Sequence, residues 1–487
     1  MLSWSIAILY LICLLVIFGY AVLQATLAVL YICKKDKKSS VNQPWKEKPK
    51  VTIQLPVYNE KYVVERLIRT VVEMDYPADL LEIQILDDST DETTDIIQAL
   101  VEELANRNIS LNHLRRSNRK GYKAGALANG LKVAKGEFIA IFDADFVPDK
   151  NFLIQTLPYF KDAEVGVVQT RWEHLNRNES LLTQLQAFAL DAHFSIEQAG
   201  RNAHQHFINF NGTAGVWRKT TIIDAGGWQH DTLTEDLDLS YRSQMKGWRF
   251  VYLEDILSPA ELPMAISALK NQQFRWTKGG AENFIKNGKK LIFQKGIRWS
   301  DRIHGWAHLF NSSVYLFIFL MALLTLPMVL AGVHNPTVAL ALKWMSCFFV
   351  STLLLLFYYW ISYREKVPKK IRFLVFFKRF VQFLTVSLGL SYYNSKGILQ
   401  AYAGKKSAFV RTPKFNTKQS TSWRKNAYLK KKWRSETWVE LFLTLYFLVG
   451  IGLSFYYGYY GMIPFQVMLF IGFSVVIGYT VKERKRS

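Results

Sequence analysis

Residues 4 to 33 carry no charged side chain, and that run narrows the class of protein more than any other feature. A membrane span takes about 20 apolar residues, so this stretch can cross a bilayer with tilt. It lacks a basic start and is too long for the apolar part of a cleaved signal, so it is expected to stay as a helix. Similar runs return at roughly 305–333, 337–363, 438–460 and 462–481. Half of the residues are hydrophobic while 21% are charged, so the two kinds must be segregated along the chain. The charges crowd beside the runs, as "KKDKK", "REKVPKK" and "KERKRS". Cytoplasmic flanks of spans are rich in Lys and Arg, whereas "GVHNP" at 332–336 is nearly uncharged and should face out. Five spans with the N-terminus outside satisfy every flank. The net charge of +22 then belongs to membrane topology, and no nucleic-acid partner is expected. Cys13, Cys33 and Cys347 lie in or beside apolar runs, with no disulfide framework or zinc spacing.

One run resists this scheme. Residues 372–393 are apolar, but Lys378 and Arg379 sit inside, each costing about 2.5–3.5 kcal/mol near a bilayer centre. Crossing there would also put 396–434 outside, a segment with twelve Lys and Arg and no acid. The reading is an amphipathic helix on the cytoplasmic interface, with a sixth span as the alternative.

Between the runs, residues 48–262 read as a cytosolic α/β domain. β-Rich segments "VTIQLPVYNE", "LEIQILDD", "GEFIAIFDAD" and "VGVVQTRW" follow one another with helical stretches such as 91–107 and 122–134 between them. That alternation predicts a parallel sheet wrapped by helices, with ligands at the carboxyl ends of its strands. Neither GxGxxG nor the phosphate loop is present.

Acids stand where those strands end. The second strand stops at Asp87 and Asp88, and a later one at "FDADF". A strand period of two would put Asp143 and Asp145 on one face. Two converging carboxylates suit Mg²⁺ or Mn²⁺, with phosphate oxygens completing the shell. Asp91 and Asp149 instead read as caps of the helices that follow. A third acidic group is "TLTEDLDLSYR" at 232–242. Thr234 can cap a helix whose first turn holds Glu235 and Asp236. Asp236 can equally act as general base on a sugar hydroxyl, a role worth about 10²–10⁴ in rate.

"QQFRW" at 272–276 lies in a helix that Pro263 is expected to open. Gln272, Arg275 and Trp276 stand at i, i+3 and i+4 and share a face. An amide and a rigid guanidinium suit sugar hydroxyls and phosphate, and the indole offers a flat apolar face to a pyranose. An interfacial helix anchored by Trp and Arg would use the same residues.

Taken together, "DDS" at 87–89, "DAD" at 143–145, "TED" at 234–236 and "QQFRW" resemble the family 2 glycosyltransferases, and among them the membrane-embedded processive synthases such as cellulose synthase and the plant mannan and xyloglucan-backbone synthases. "PVYNE", "KAGALANGL", "FNGTAGVWR" and "FVRTPK" at 409–414 extend the resemblance over nearly the whole chain. It departs from bacterial cellulose synthase in having fewer expected spans and no regulatory domain after the last one.

The resemblance implies a GT-A sheet domain, a divalent metal and an inverting transfer that makes a β-linkage. Pro56, Tyr58, Glu60 and Asp87 or Asp88 would hold the nucleotide, and Lys123 and Asp143 would face the diphosphate. Asp145, with Asp143, would bind Mg²⁺ or Mn²⁺. Asp236, within Thr234–Glu235–Asp236, would deprotonate the acceptor. Gln272, Arg275 and Trp276 would hold diphosphate and acceptor. Arg411, Thr412 and Lys414 would belong to a loop that closes over the donor.

The expected organisation is an N-terminal span and basic linker (1–47), the glycosyltransferase core (48–262) and interfacial helices (263–304). Two spans (305–363), an amphipathic helix with the loop (364–437) and two further spans (438–487) follow. The expected function is polymerisation of a β-glucan or β-mannan from UDP-glucose or GDP-mannose onto a growing glycan, with export across the bilayer. A bacterial inner membrane is the accompanying expectation, and the sequence leaves open whether an export partner continues the path. Polar residues of the second span, His304, Trp306, His308, Asn311 and Ser312, either line the export path or pack between helices. Transfer of one sugar to a lipid is the alternative function. A transporter or scaffold would leave the acidic clusters without a purpose.

Overall fold

The computed structural model describes residues 1–34, 47–107, 109–366, 373–414, 416, 428 and 435–485. The basic linker at 35–46 and most of the basic segment between 417 and 434 lie outside these. Seven strands build one sheet: β1 (Val51–Val57), β2 (Leu81–Asp87), β3 (Ser110–Arg115), β4 (Phe138–Ile141), β5 (Val165–His174), β6 (Gly215–Arg218) and β7 (Arg249–Ala260), in the order β3-β2-β1-β4-β6-β5-β7. Helices α1 (Leu2–Lys34), α2 (Val64–Val72), α3 (Thr93–Glu103), α4 (Tyr122–Val133) and α5 (Phe152–Thr156) come first. Then follow α6 (Leu181–Ala192), α7 (Ala199–Ala203), α8 (Lys219–Asp224) and α9 (Glu235–Met245).

Helices cover both faces of the sheet, which is why β2 is buried at every position and shows no polar–apolar alternation. Along β4 the side chains divide: Phe138 and Ala140 join one core, Ile139 and Ile141 the other. The polar residues inside are matched across strands. Thr52 Oγ1 donates to Glu82 (2.6 Å) and Gln54 Nε2 to Gln84 (3.0 Å).

The sheet is mixed rather than parallel. β3, β2, β1 and β4 run together, but β6 lies antiparallel between β4 and β5. Strand–helix alternation announces crossovers, and β6 has none, because it follows a turn within "FNGTAGVWR". Asp143 and Asp145 also lie beyond β4, which ends at Ile141, so strand alternation does not bring them together. Asp91 and Asp149 accept the amide two residues on, just ahead of α3 and α5.

The remaining helices are α10 (Ile266–Phe293), α11 (Trp299–Phe310), α12 (Val314–His334), α13 (Pro336–Met345), α14 (Val350–Lys366), α15 (Phe373–Tyr402), α16 (Ser435–Tyr456) and α17 (Ile463–Lys485). α10 begins three residues later than Pro263, because Asn176 and Gln186 hold the chain extended at Leu262 and Pro263. Six stretches of the described residues are long and apolar enough to cross a membrane: α1, α11–α12, α13–α14, α15, α16 and α17. This is the build of a multi-pass membrane protein.

α15 meets the length and apolarity of a span, yet both of its ends meet other spans where those approach the sheet domain. Phe373 and Phe376 pack on Trp360, near Lys366, which itself bonds to Asp191. At the other end Tyr402 pairs with Ser313 (2.8 Å) and Ser395 donates to the Tyr315 carbonyl (3.1 Å). In its middle it touches α17 so closely that a Cβ on Gly389 would stand 2.3 Å from the Gly472 carbonyl oxygen.

α10 is tied into the bundle by a buried ion pair, Lys270–Glu440 at 2.6 Å. Several polar residues of the second span have partners inside the protein: His304 stacks on His206 at 4.2 Å, Trp306 on Phe310 at 5.1 Å, and His308 bonds the Tyr241 hydroxyl at 2.8 Å. Packing accounts for these three.

Candidate active site

Strand order assembles the site. β2, β1 and β4 are neighbours and parallel, so their carboxyl ends put Asp88, Tyr58 with Glu60, and Asp143 with Asp145 side by side. The antiparallel β6 adds what a parallel strand could not. It starts beside the end of β4, so the turn that precedes it reaches the same edge. There Thr213 Oγ1 accepts from the Asp143 amide (2.9 Å). The Gly212 carbonyl accepts from Lys123 Nζ (2.9 Å). Gly212 has φ +79°, and a Cβ on it would lie 2.9 Å from Asp236 Oδ2; only glycine combines that conformation with that approach.

α9 brings Glu235 and Asp236 at its first turn. Thr234 does not cap it with its side chain. Its hydroxyl instead accepts from Asn283 Nδ2 of α10 at 2.9 Å. Gly279 lets α10 press there, since a Cβ would meet the Thr234 side chain at 2.6 Å. That contact sets the rotation of α10 and so the direction of its 272–276 face.

A cavity of about 190 Å³ results. Pro56, Tyr58, Glu60, Asp88, Lys123, Asp143 and Asp145 line its sheet side, and Thr234, Glu235, Asp236, Gln272, Arg275 and Trp276 its helix side. Arg411, Thr412 and Lys414 close it from the "FVRTPK" loop. Asp87 is the predicted residue that does not line it. It is 1% exposed and serves the scaffold, bonded by His113, Ser89 and Thr94. Burial works to raise its pKa, but those hydrogen bonds win and hold it at about 2.

Arg119, Asn211, Glu261 and Phe409 also line the cavity and were not singled out from the sequence. Arg119 stands 3.3 Å from the Tyr58 ring centroid, but it is one of several cations in "RRSNRK" and nothing in the sequence selects it. Glu261 follows β7, a strand the sequence reading missed. Recognising "RFVYLEDILSPA" as a strand would have pointed to its carboxyl end.

The charges are closely matched. Lys123 Nζ donates to Asp143 at 2.5 Å, Lys414 Nζ to Asp145 at 2.7 Å, and Arg411 lies 2.8 Å from Glu60. Arg116 grips Asp88 with two bonds of 2.6 and 2.5 Å. Burial pushes the Glu60 carboxyl up to about 7 against the pull of Arg411 and Lys414. Burial, then the Glu235 charge beside it, lifts Asp236 well above the usual carboxylate range. Such a group can take a proton near neutral pH.

For a divalent cation, Asp145 offers a buried Oδ1 with no hydrogen-bond partner among the described residues. No group of three or more His, Cys, Asp or Glu among those residues is placed to hold a metal. The oxygens of Asp145 and Asp143 in the cavity suit a hard ion, which would need further oxygens from a diphosphate to complete its shell.

Residues 49–279 match the model of the family described as "Glycosyltransferase like family 2". Probable glucomannan 4-beta-mannosyltransferase 11 of Oryza sativa subsp. japonica is 42% identical over 267 residues, 54% of this chain and 47% of that protein. Glucomannan 4-beta-mannosyltransferase 1 of Cyamopsis tetragonoloba is 39% identical over 295 residues, 58% and 56% of the two chains. The chain thus spans about half the length of the curated relatives it matches. These relatives are plant proteins, so the expected bacterial inner membrane draws no support from them. Among solved structures, a mannosyltransferase from Pyrobaculum calidifontis in complex with GDP-Man and Mn²⁺ superposes with a TM-score of 0.53. It covers 75% of this chain and 100% of that one at 20% identity, a likeness of fold. The matched stretch, residues 49–279, carries the sheet and helix walls of the cavity, and its likeness is to the family 2 glycosyltransferases.

Proposed function

We propose that this protein is an inverting β-mannosyltransferase that extends a β-linked glycan, with GDP-mannose as donor. The observation that carries the reading is the single cavity in which Asp143, Asp145, Asp236, Gln272, Arg275, Trp276 and Lys414 meet. The choice of mannose rests on the names of the plant relatives, and GDP is the nucleotide held by the archaeal mannosyltransferase of the same fold. UDP-glucose is the competing donor.

Pro56, Tyr58, Asp88 and Arg119 hold the nucleotide end, and Asp143 and Asp145 face the diphosphate. The Trp276 ring stacks on the acceptor sugar and points its terminal hydroxyl at Asp236. Asp236 takes the hydroxyl proton as that oxygen bonds to the anomeric carbon from the face opposite the diphosphate. The bond from that carbon to the leaving oxygen breaks, the nucleoside diphosphate departs, and the configuration inverts. Lys123, Arg275, Arg411 and Lys414 are fixed cations that meet the growing charge without reorganising. A Mg²⁺ or Mn²⁺ ion on Asp145 and Asp143, when bound, supplies further charge neutralisation at the diphosphate.

The sheet domain lies on the cytosolic side, where sugar nucleotides are made. α15 lies along that face of the bilayer and leaves five spans. Its two ends, both beside the sheet-domain ends of other spans, support this. The product advances past Trp276 toward the spans around α10 and leaves on the other side. A lipid acceptor would use the same chemistry but needs no closing loop.

Purified protein in nanodiscs, given Mn²⁺ and labelled GDP-mannose or UDP-glucose, tests this. The expected product is a polymer made from GDP-mannose, resistant to organic extraction and degraded by a β-mannanase. A solvent-soluble glycolipid, or incorporation from UDP-glucose alone, would overturn it.

A further inference from the structure

The phosphate end of the cavity is neutralised by the chain itself. Asp143 has Lys123 from the rigid α4, and Glu60 has Arg411 from the loop. Asp145 has Lys414, whose Nζ is 2.7 Å from Oδ2. The same Oδ2 accepts the Glu261 amide at 3.2 Å, which leaves Oδ1 as the oxygen without a partner. Asp145 is 1% exposed, so water does little to screen charges around it.

We propose that Lys414 is a placeholder for the divalent cation on Asp145, so that the metal binds tightly only together with a nucleoside diphosphate. The inference rests on the reading of Asp145 as the metal carboxylate. A divalent ion arriving alone would share one buried carboxylate with an ammonium group, and the two cations repel. A diphosphate changes the balance: it brings negative oxygens for the metal and a new anion for Lys414 to bond. Lys414 then moves from carboxylate to phosphate, and Asp145 is released to the metal. The enzyme is spared an unproductive metal complex, and loop closure is linked to arrival of the complete donor.

The loop has other holds on the domain, which makes the idea separable from docking. Phe409 stacks on Tyr122 at 5.9 Å and lies under Arg275 at 4.5 Å, and Arg411 stands 2.8 Å from Glu60. Removing the Lys414 charge leaves these in place.

The test is Mn²⁺ binding by electron paramagnetic resonance, on the full chain in nanodiscs, with and without GDP. Coupling between two ligands is typically about 5–150-fold. Wild type should bind Mn²⁺ weakly alone and about 10-fold or more tightly with GDP. Lys414→Met and Lys414→Gln should bind Mn²⁺ alone about 10-fold tighter than wild type, with less added by GDP, and a thermal melt confirms that they are folded. Lys414→Arg keeps a cation and Lys405→Met removes one from the same loop away from Asp145, so both should resemble wild type. Lys414 variants no tighter than wild type, or a Lys405→Met gain equal to theirs, would overturn the proposal. Asp145→Asn with GDP separates the two levels. If it loses Mn²⁺ while the Lys414 variants are unchanged, only the placeholder fails. If it binds Mn²⁺ like wild type, the metal reading fails and the placeholder with it.

Discussion

Asp236 closes against Gly212: a methyl group on that glycine would stand only 2.9 Å from Asp236 Oδ2. Gly212 also fixes Lys123 through its carbonyl, so one residue spaces the proposed base from the diphosphate cation. Gly212→Ala should therefore lower kcat about 100-fold or more by misplacing Asp236, since small misplacements near the chemistry cost about that much. Its left-handed φ adds a stability loss of about 1–2 kcal/mol. Steady-state kinetics and a thermal melt on the same preparation measure both.

The acidic limb of the pH–rate profile should reflect Asp236. A base must be deprotonated to work, and burial together with Glu235 raises its pKa. Activity should rise with pH through a point well above the ordinary carboxylate value of about 3.9. Glu235→Gln removes the neighbouring charge and should move that limb to lower pH. A limb that stays in place in Glu235→Gln would refute the assignment.

Arg275 lines the cavity within electrostatic reach of Glu235, Asp143, Asp236 and Asp145. Arg275→Lys keeps the charge but loses the planar fork, and Trp276→Ala loses the flat face. The first should reduce kcat about 10–100-fold, on the scale of a removed transition-state donor. The second should raise the acceptor KM and shorten the product, visible as a shift in polymer size at equal turnover.

The ion pair between Lys270 and Glu440 is buried on both sides. Lys270→Met alone takes the ammonium group away from a buried carboxylate and should cost about 3–5 kcal/mol. The double variant Lys270→Met with Glu440→Leu should recover most of that. Melting temperatures of the single and double variants in detergent decide it.

The acids after the strands and the i, i+3, i+4 face of Gln272, Arg275 and Trp276 were legible because their chemistry is local, whereas Tyr58, Glu60, Lys123, Arg411, Thr412 and Lys414 were expected only from the resemblance to a family. Asp87 and Asp88 could not be told apart, since both end the same strand and only the fold shows His113 reaching one and Arg116 the other. β6 was hidden for a different reason. Its four residues are too few for a period, and its direction depends on long-range pairing with β4. The same holds for the Thr234 side chain, whose partner Asn283 is 49 positions away.

The touch of Gly389 on Gly472 pins the middle of α15. From it α15 runs on to Tyr402, an arm of roughly 20 Å at about 1.5 Å per residue, and the "FVRTPK" segment hangs from its tip. Along that arm Gly397 packs on Phe274 of α10 and Tyr402 bonds Ser313, so the helix that carries the loop is fixed to the helix that carries Gln272, Arg275 and Trp276. The loop and the acceptor-facing helix thus share one support, and a shift of α15 would carry both together.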